Sequence, residues 1–358
     1  NFGSAAYTVN EDGLHATVTV IRTGDLSGTV RVDYATQDQA GLTPCSVTNS
    51  IASQRCDYAM SVGTLRFAVG ENTKTIFIPL IDDAFVEGSE VFTLTLTDAT
   101  GSSLGTFATT TIAITDNDAT NAVPNPIDDA TFFVRQHYID FLGREPEPTG
   151  LTGWLNVYNG CPASGKDSNG NYCDRVEISS AFFRSEEFQN RAYFVYRFYS
   201  AVGKIPLYEG FMPDFAKVSG FLSASELEAN KVAFVSEFMA RADYQNLYGS
   251  IGGNDAYVTA LLNTLGLPNH PRKTEWVTAL NNGTSRAIVF RQVTESGEVQ
   301  TKYFNEAFVI MQYFGYLRRS ADISYLDWIT EMNKPGGDYR VMINGFLNSA
   351  EYRQRFGQ

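Results

Sequence analysis

The sequence predicts two domains of different class, an all-β immunoglobulin-like sandwich followed by an all-α repeated helical domain. Residues 1–118 alternate between apolar and polar side chains with a period of two, whereas from residue 131 onward the apolar spacing is helical. The stretch "DNDATNAVPNP" between them contains two prolines and few apolar residues, which is typical of a linker. We therefore expect a sandwich at 1–119, a linker at 120–130 and a helical domain at 131–358.

Seven segments of the first domain are expected to be strands, because they are rich in Val, Ile, Thr and Phe. Turn-forming stretches such as "TGDLSG", "VGEN" and "DATGSS" separate them. About seven strands in about 115 residues is the size of an immunoglobulin-like sandwich. The predicted strands lie in "AAYTV", "ATVTVIRT", "TVRVDYAT", "GTLRFAV", "KTIFIPLI", "VFTLTLTD" and "TTTIAITD".

The second domain opens with an amphipathic helix. Thr131 is expected to cap it, because a hydroxyl group at the N-cap accepts a hydrogen bond from a free N–H group. A later helix opens with a capping box formed by Ser223 and Glu226. The apolar face of the first helix follows the spacing i, i+3, i+4, i+7, at Val134, His137, Tyr138 and Phe141.

The helical domain also repeats itself. Each unit has a helix that ends near Gly, a loop that often carries Pro, and a second helix with a large aromatic residue. Such units are too small to bury their own apolar face, so they stack into an array or bundle. The four predicted units lie near residues 131–190, 191–250, 254–303 and 304–358. Tyr138, Tyr199, Leu262 and Tyr313 are equivalent in this alignment, and Trp154, Phe215, Trp276 and Trp328 close the units.

The charge of the chain excludes one class of partner. A formal net charge of −13 argues against binding a nucleic-acid backbone, which needs basic patches. The sequence lacks an apolar run of about eighteen residues, so we expect no membrane span in this fragment. The first residue is not Met, and we expect a mature or excised fragment.

Four cysteines lie in two close pairs, each of which brackets a polar loop. We expect two local disulfides, Cys45 with Cys56 and Cys161 with Cys173, although four cysteines allow three connectivities. Zinc binding is the alternative, but the spacings C-x10-C and C-x11-C lack the short spacing of zinc ligands. Disulfides would indicate an oxidising compartment: the periplasm, the cell surface or the medium.

Acidic residues gather where the predicted strands of the sandwich end. The segment "PLIDDAFVEGSEVFTLTL" places four carboxylates just before a strand, and further acids follow the first, third and last strands. Strand ends that are distant in sequence meet at one rim of a sandwich, and calcium prefers hard oxygen ligands in loose geometry. A shared cation would turn the mutual repulsion of these acids into attraction. The alternative is a purely structural rim of solvated acids.

Several of these segments resemble the Calx-beta domain, the calcium-binding sandwich of sodium/calcium exchangers that also occurs in bacterial surface proteins. They are "VNEDG", "VDYATQDQAG", "CDYAMSVGTLRF", "GENTKTIFIPLIDDAFVEGSEVFTLTL" and "AITDND", in this order over residues 1–119. The resemblance implies that Phe85 offers its main-chain carbonyl to calcium and that side chains supply the other ligands. The implied ligands are Glu11, Asp38, Asp82, Asp83, Phe85, Glu87, Glu90, Asp116, Asn117 and Asp118.

The sequence departs from the family pattern at two positions. Ala84 and Asn117 stand where the family has acidic residues, which lowers the charge of the ligand set. We therefore expect one or two calcium ions bound with affinities on the order of 10⁻⁵ to 10⁻³ M. An insertion between Gln39 and Cys56 is expected to lie beside the rim, where it would cap or obstruct the site.

The helical half resembles the bacterial family called domain of unknown function 4214, which is distantly similar to the linker domains of phycobilisomes. The resemblance rests on "FVRQHYIDFLGREPEPTGLTGWL" and the downstream "FFRSEEF", and it is clearest in the first and fourth units. It implies no catalytic residues. Gly143 is interpreted as a residue that ends a helix at positive φ, and Arg144 as a local cap or ion-pair partner.

Catalysis finds little support in the sequence. His137 is expected to pack on an apolar helix face. The pairs Asp128–Asp129 and Glu145/Glu147 are better explained by a helix N-terminus and a Pro-rich loop than as glycosidase acids. The loop that begins at Asp167 lacks the Gly and Glu positions of an EF-hand.

These observations predict a non-enzymatic, secreted or cell-surface bacterial protein that binds calcium. Its helical domain would make protein or glycan contacts, in adhesion or surface assembly. One alternative is a carbohydrate-binding or carbohydrate-active protein that uses the aromatic residues of the helical half. The other is a structural spacer without a ligand.

Overall fold

A computed structural model of the chain describes residues 1–119 and 124–358. Residues 120–123, the first part of the predicted linker, lie outside the described residues. Within the rest of that segment, Pro126–Asp128 form a single 3-10 turn that leads into the helices. None of the described helices combines the length and the apolar character that crossing a membrane requires.

Residues 1–119 form the predicted sandwich, and each predicted segment overlaps one strand, with the ends shifted by a few residues. The strands are β1 (Ala6–Asn10), β2 (His15–Ile21), β3 (Val30–Gln37), β4 (Val62–Phe67), β5 (Thr73–Pro79), β6 (Glu90–Thr100) and β7 (Thr109–Thr115). One sheet has the order β1-β7-β6-β3-β4, and the other pairs β2 with β5. The β1–β7 pair is parallel, whereas the other pairs are antiparallel.

The core of the sandwich follows from the alternation of apolar and polar residues along each strand, because every second side chain of a strand points to the same face of the sheet. In β6, Phe92, Leu94 and Leu96 are buried between exposed or half-buried threonines and Val91. Tyr58 lies outside the named strands and stacks on Phe92, with the ring centroids 3.9 Å apart. The apolar faces of the two sheets therefore enclose one continuous core.

Residues 124–358 are helical, as predicted. The helices are α1 (Ala130–His137), α2 (Pro148–Gly160), α3 (Arg175–Arg184), α4 (Glu186–Asn190), α5 (Ala192–Ser200), α6 (Tyr208–Lys217), α7 (Ala224–Ala240), α8 (Ala242–Tyr244), α9 (Asn254–Thr264), α10 (Lys273–Asn281), α11 (Arg286–Thr294), α12 (Gly297–Gln312), α13 (Tyr325–Met332), α14 (Tyr339–Leu347) and α15 (Ala350–Arg353). Three π-helical turns, Tyr138–Leu142, Gln245–Gly249 and Tyr313–Leu317, extend α1, α8 and α12.

The chain divides into two compact units. The first contains Asn1–Arg184, Phe314–Arg319 and Asp338–Gln358, so it joins the sandwich to helices from both ends of the helical half. The second contains Ser185–Tyr313 and Ser320–Gly337. The predicted domain boundary follows the change from strands to helices, whereas these units are defined by packing; the boundary stays a prediction.

The first helix begins one residue before the predicted cap. Asp129 is the N-cap of α1, and its carboxylate accepts hydrogen bonds from the N–H groups of Thr131 and Phe132 at 2.8 and 2.9 Å. The prediction that Thr131 caps this helix is wrong, because a carboxylate accepts these bonds and also favours the positive end of the helix dipole. The capping box of Ser223 and Glu226 is confirmed at the start of α7.

Equivalent positions of the repeats end their helices in the left-handed conformation. Gly143, Gly203 and Gly266 have φ of 65°, 69° and 62°, which confirms the interpretation of Gly143. Arg318 stands at the fourth equivalent position with φ of 52°. This conformation costs a residue with a side chain about 1–2 kcal/mol, so another interaction must hold Arg318 there.

A buried ion cluster provides that interaction. The Arg318 guanidinium donates to Asp140 Oδ1 at 2.7 Å, and Arg355 donates to both carboxylate oxygens at 3.2 Å. Gln136 adds a further hydrogen bond at 2.8 Å. Burial alone would raise the pKa of Asp140, but Arg355 and Arg318 hold it below its ordinary value. The cluster joins the first and fourth repeats inside the first unit.

His137 packs in this unit, as predicted. Its Nδ1–H donates to the Phe133 carbonyl at 2.7 Å, and its Nε2 accepts from the Ser179 hydroxyl at 3.0 Å. Burial lowers the pKa of His137 to about 4. The imidazole is therefore neutral and fully hydrogen-bonded, which is a structural role.

Both predicted disulfides are present, Cys45–Cys56 and Cys161–Cys173, which removes the zinc alternative. In the second loop, Asp167 Oδ1 accepts hydrogen bonds from the N–H groups of Asn169 and Asn171 at 2.8 and 2.9 Å. That carboxylate organises its own loop.

In the second unit, polar side chains and aromatic rings pack together. Asp214 is buried and accepts from Arg241 through two hydrogen bonds of 2.6 Å and from the Tyr199 hydroxyl at 2.8 Å. Trp276 is fully buried, and Trp328 is half-buried. These residues hold the unit together, as expected of a stacked helical array.

Candidate metal centre

Two neighbouring strands bring distant acids together at one end of the sandwich. Because β1 and β7 are parallel, with Asn10 opposite Thr115, the residues that follow them emerge side by side. The Glu11 N–H donates to the Thr115 carbonyl at 3.0 Å. As a result, carboxylate oxygens of Glu11, Asp116 and Asp118 lie within 4.8 Å of one another. We call these three residues the first acid group.

The segment between β5 and β6 crosses the same end and is held there by main-chain hydrogen bonds. The N–H groups of Glu87 and Gly88 both donate to Asp116 Oδ2 at 2.7 Å. The Asp83 N–H donates to Glu11 Oε1 at 3.2 Å. Hydrogen bonds from N–H groups to a carboxylate are stronger than those to a neutral acceptor. The first acid group thus fixes the path of this segment.

A second acid group lies in the same rim. Carboxylate oxygens of Asp57, Glu87 and Glu90 lie within 4.8 Å of one another, and all three residues are buried. Asp57 reaches the other two because its carbonyl accepts from the Ile81 N–H at 2.9 Å. This bond joins the chain around Asp57 to the start of the acidic segment.

Asp57 is not among the ligands predicted from the sequence. It follows Cys56 in "CDYA", away from any predicted strand end. Only the pairing of this short stretch with Pro79 and Ile81 brings its side chain to the rim. Its position directly after a cysteine of the inserted loop, within the segment "CDYAMSVGTLRF", is a local feature that could have indicated it.

The acids of the rim resist ionisation. Burial, with a smaller contribution from neighbouring carboxylates, raises the pKa of Glu11 to about 8 and that of Glu87 to about 10. Burial also raises the pKa of Glu90 to about 7 and those of Asp57 and Asp83 well above their ordinary values. Among the described residues, no Lys or Arg forms an ion pair with any of these five acids.

Two buried oxygens of the rim have no hydrogen-bond partner among the described residues. Asp83 is only 4% exposed; its Oδ1 accepts from the Phe85 N–H at 2.8 Å, but its Oδ2 accepts nothing. Asp118 Oδ2 is the other. A buried polar group without a partner costs about 1–3 kcal/mol, and more when it is charged.

Asp83 interacts electrostatically with members of both acid groups. After burial, the charges of Glu87, Glu11 and Asp57 are the causes that raise its pKa. The rim therefore offers carboxylate oxygens from several segments, an unsatisfied buried oxygen, and no basic side chain paired to them within the described residues. This donor set fits a hard divalent cation such as calcium.

Three other predicted ligands surround the rim without joining either group. Asp38 is half-buried, and its Oδ1 accepts from the N–H groups of Ala40 and Gly41 at 3.1 and 3.3 Å. Asp82 is half-buried, and its side chain forms a hydrogen bond with that of the exposed Asn117. Burial raises the pKa of Asp82.

Phe85, the predicted carbonyl ligand, is buried with its side chain in a cluster with the disulfide Cys45–Cys56. The inserted loop that carries this disulfide therefore lies beside the rim, as expected. The full set of ten predicted ligands stays a prediction.

Comparison with known proteins gives the family of the sandwich. Residues 1–118 match the Calx-beta domain family. Among solved structures, the chain is similar to the apo-form Calx CBD1 domain, with 30% identity over 33% of this chain and 95% of that chain and a TM-score of 0.29. It is also similar to the calcium binding domain CBD12 of CALX1.1, with 30% identity and a TM-score of 0.29. That match spans 33% of this chain and 44% of that structure.

The Calx CBD2 domain is a more distant likeness, with 16% identity, a TM-score of 0.27, and coverage of 32% of this chain and 85% of that domain. No curated protein matches the chain. The family match ends at residue 118, and the resemblance of the helical half to domain of unknown function 4214 stays a prediction. Residues 1–118 of this chain thus belong to the Calx-beta domain family.

Proposed function

We propose that residues 1–118 bind calcium at the rim, with one ion position at each acid group. Membership of the Calx-beta family implies a calcium-binding module. The observation that carries the proposal is the convergence of buried carboxylates around Asp83 Oδ2, a buried oxygen that has no partner among the described residues. A divalent cation would satisfy that oxygen and neutralise its neighbours.

The first position would use the first acid group together with Asp83. The second would use Glu87, which lies three residues before β6, and Glu90, the first residue of β6. The carbonyl of Phe85 and the carboxylate of Asp38 are available to complete coordination shells of about six to eight oxygens. The ligands thus come from several separate segments, so calcium would fasten the rim loops to one another.

The reduced charge of the rim sets the expected affinity. Ala84 is buried, and its N–H donates to the Phe356 carbonyl at 2.9 Å, so this position faces protein. With Ala84 and Asn117 in place of acids, we expect dissociation constants on the order of 10⁻⁵ to 10⁻³ M, which runs from the weak limit of sensors to the range of extracellular modules.

Isothermal titration calorimetry of the full chain with calcium tests this proposal. The wild type should bind calcium, and chelation should lower its melting temperature. Asp83→Asn and Glu11→Gln should each weaken binding about tenfold or more, because each removes a ligand charge. Asp98→Asn is the matched control: Asp98 is an exposed acid of β6 with φ of 50°, a conformation that Asn tolerates. Absence of binding heat in the wild type would refute the proposal.

We infer further that the protein acts outside the cytoplasm without enzymatic activity, and that its helical half makes contacts with other molecules in adhesion or surface assembly. Two disulfides support an oxidising compartment. The His137 side chain is fully buried and neutral, so it supports no catalytic role.

Carbohydrate binding by the helical half has less support. Trp276 and the repeat positions Tyr138 and Tyr313 are buried, whereas Trp154 is half-buried and stacks on Phe182 with ring centroids 5.3 Å apart. Titration of intrinsic tryptophan fluorescence with oligosaccharides should give no saturable change. A saturable change would favour the carbohydrate alternative.

A further inference from the structure

The inserted loop of the sandwich ends at the second acid group. Its disulfide joins Cys45 to Cys56, and Cys56 is followed directly by Asp57. The Asp57 side chain is 4% exposed, and one of its carboxylate oxygens lies within 4.8 Å of oxygens of Glu87 and Glu90. The loop therefore delivers a carboxylate to a position that already holds two others.

Local contacts fix Asp57 in this place. The Ser53 N–H donates to Asp57 Oδ2 at 2.5 Å, and the Asp57 N–H donates to the Ser53 carbonyl at 2.9 Å. The two cysteines of the disulfide pack in one cluster with Phe85, which lies between Asp83 and Glu87 in the acidic segment. Asp57 cannot leave the rim unless these contacts break.

The hydrogen bond from the Ser53 N–H explains only part of the position of the Asp57 side chain. Capping the Ser53 turn occupies one carboxylate oxygen, and an uncharged Asn would serve equally well there. The Asp57 side chain also forms a hydrogen bond with that of Glu90, and with Glu87 nearby it adds a like charge to a buried group of acids. Such a placement is unfavourable unless a proton or a cation lies between the carboxylates.

A second observation points to a cation. Asp83 Oδ2, in the same segment as Glu87, is buried and has no partner among the described residues. Asp57 and Glu87 are among the charges that act on Asp83. The unsatisfied oxygen thus belongs to a side chain that interacts electrostatically with Asp57 and Glu87, as well as with Glu11 of the first acid group.

We propose that Asp57 is a ligand of a divalent cation held with Glu87 and Glu90, and that the disulfide Cys45–Cys56 positions it. This inference rests on the proposed function, since it adds a ligand and a positioning device to the second ion position. The loop is then part of the calcium site, and it caps the rim without obstructing it.

Calcium titration of the full chain tests the ligand. The wild type should bind two ions, and Asp57→Asn should lose or weaken one of them about tenfold or more while the other stays unchanged. Asp57→Asn keeps an acceptor for the Ser53 N–H, so the fold should persist, as circular dichroism would verify. Asp118→Asn should affect the other ion. If Asp57→Asn binds calcium as the wild type does, the ligand assignment is wrong although the rim still binds calcium.

A disulfide comparison tests the positioning role. The double variant Cys45→Ser/Cys56→Ser should weaken the same ion that Asp57→Asn affects. Cys161→Ser/Cys173→Ser, which opens the other loop, should leave calcium binding unchanged. Equal effects of the two double variants would overturn the positioning role. If the wild type itself binds no calcium, the proposed function fails and this inference fails with it.

Discussion

Glu11, Glu87 and Glu90 retain their protons at a pH where an exposed glutamate has lost its own, because they are buried next to one another. Each bound proton neutralises a buried carboxylate, because no neighbouring basic side chain does so within the described residues. A calcium ion bound between the same oxygens would replace several of these protons at once. Metal binding and proton release are therefore linked at the level of single carboxyl groups.

This linkage predicts a pH dependence. The folded pKa values of Glu11 and Glu90, about 8 and 7, lie above the ordinary value of 4.5, so the calcium-free fold binds more protons than the unfolded chain between these limits. Stability without calcium should thus fall as pH rises from about 4.5 through these values. The rise in melting temperature on adding calcium should be larger at about pH 8 than at about pH 5.5. Differential scanning calorimetry at the two pH values would measure it; an equal rise would contradict the linkage.

Two glycines of the helical half occupy backbone positions with opposite requirements. Gly203 ends α5 with φ of 69° and has only ordinary contacts around it, whereas Gly153 lies inside α2 in open space. A side chain is strained in the first position and favoured in the second.

These two glycines should respond oppositely to the same substitution. Gly203→Ala should destabilise the chain by about 1 kcal/mol or more, whereas Gly153→Ala should stabilise it by about 0.5–1 kcal/mol. Urea denaturation would give both values. The same sign for both variants would contradict the assigned helix ends.

The buried cluster of Asp140 with Arg318 and Arg355 connects the π-helical ends of α1 and α12 with the residues after α15. Asp140→Ala would leave two guanidinium groups buried without their counter-charge and should destabilise the chain by about 3–5 kcal/mol. Asp128→Ala, which removes an exposed partner of Arg353, should cost about 1 kcal/mol or less. Thermal denaturation would compare the two, and similar losses would argue against the cluster's role.

At the scale of the whole molecule, the C-terminal residues belong to the same compact unit as the calcium rim. The Phe356 carbonyl accepts from the Ala84 N–H, one residue from Asp83, and Arg355 Nε donates to the Arg55 carbonyl at 2.9 Å. These bonds tie the acidic segment and the inserted loop to the C-terminal residues.

Deleting residues 356–358 should therefore loosen the rim. We expect calcium affinity to fall at least several-fold, because the deletion removes the hydrogen bond to the Ala84 N–H and also the fully buried Phe356 side chain, whose loss alone should cost about 3–5 kcal/mol of stability. Hydrogen exchange should show faster exchange of the Ala84 amide, while peptides from α9 in the second unit serve as the control. Unchanged affinity and exchange would show that the tail does not support the site.

The sequence predicted the parts of this fold that depend on local periodicity. The seven strands, the helical second half, both disulfides and the capping box at Ser223 follow from spacing and residue type. The N-cap at Asp129 was missed because Asp129 and Thr131 are both good caps two residues apart. Asp57 was missed because its role depends on contacts with Ile81 and Ser53, which no periodicity reveals.

The parallel pairing of the first and last strands has a consequence for how the domain matures. Glu11 lies near the start of the sandwich and Asp118 near its end, so a growing chain presents no complete first acid group until the whole sandwich has emerged. Contacts between such distant segments also form late, because closing a long loop is entropically unfavourable. Calcium binding would then stabilise a sandwich that has already folded, and it would not nucleate the folding.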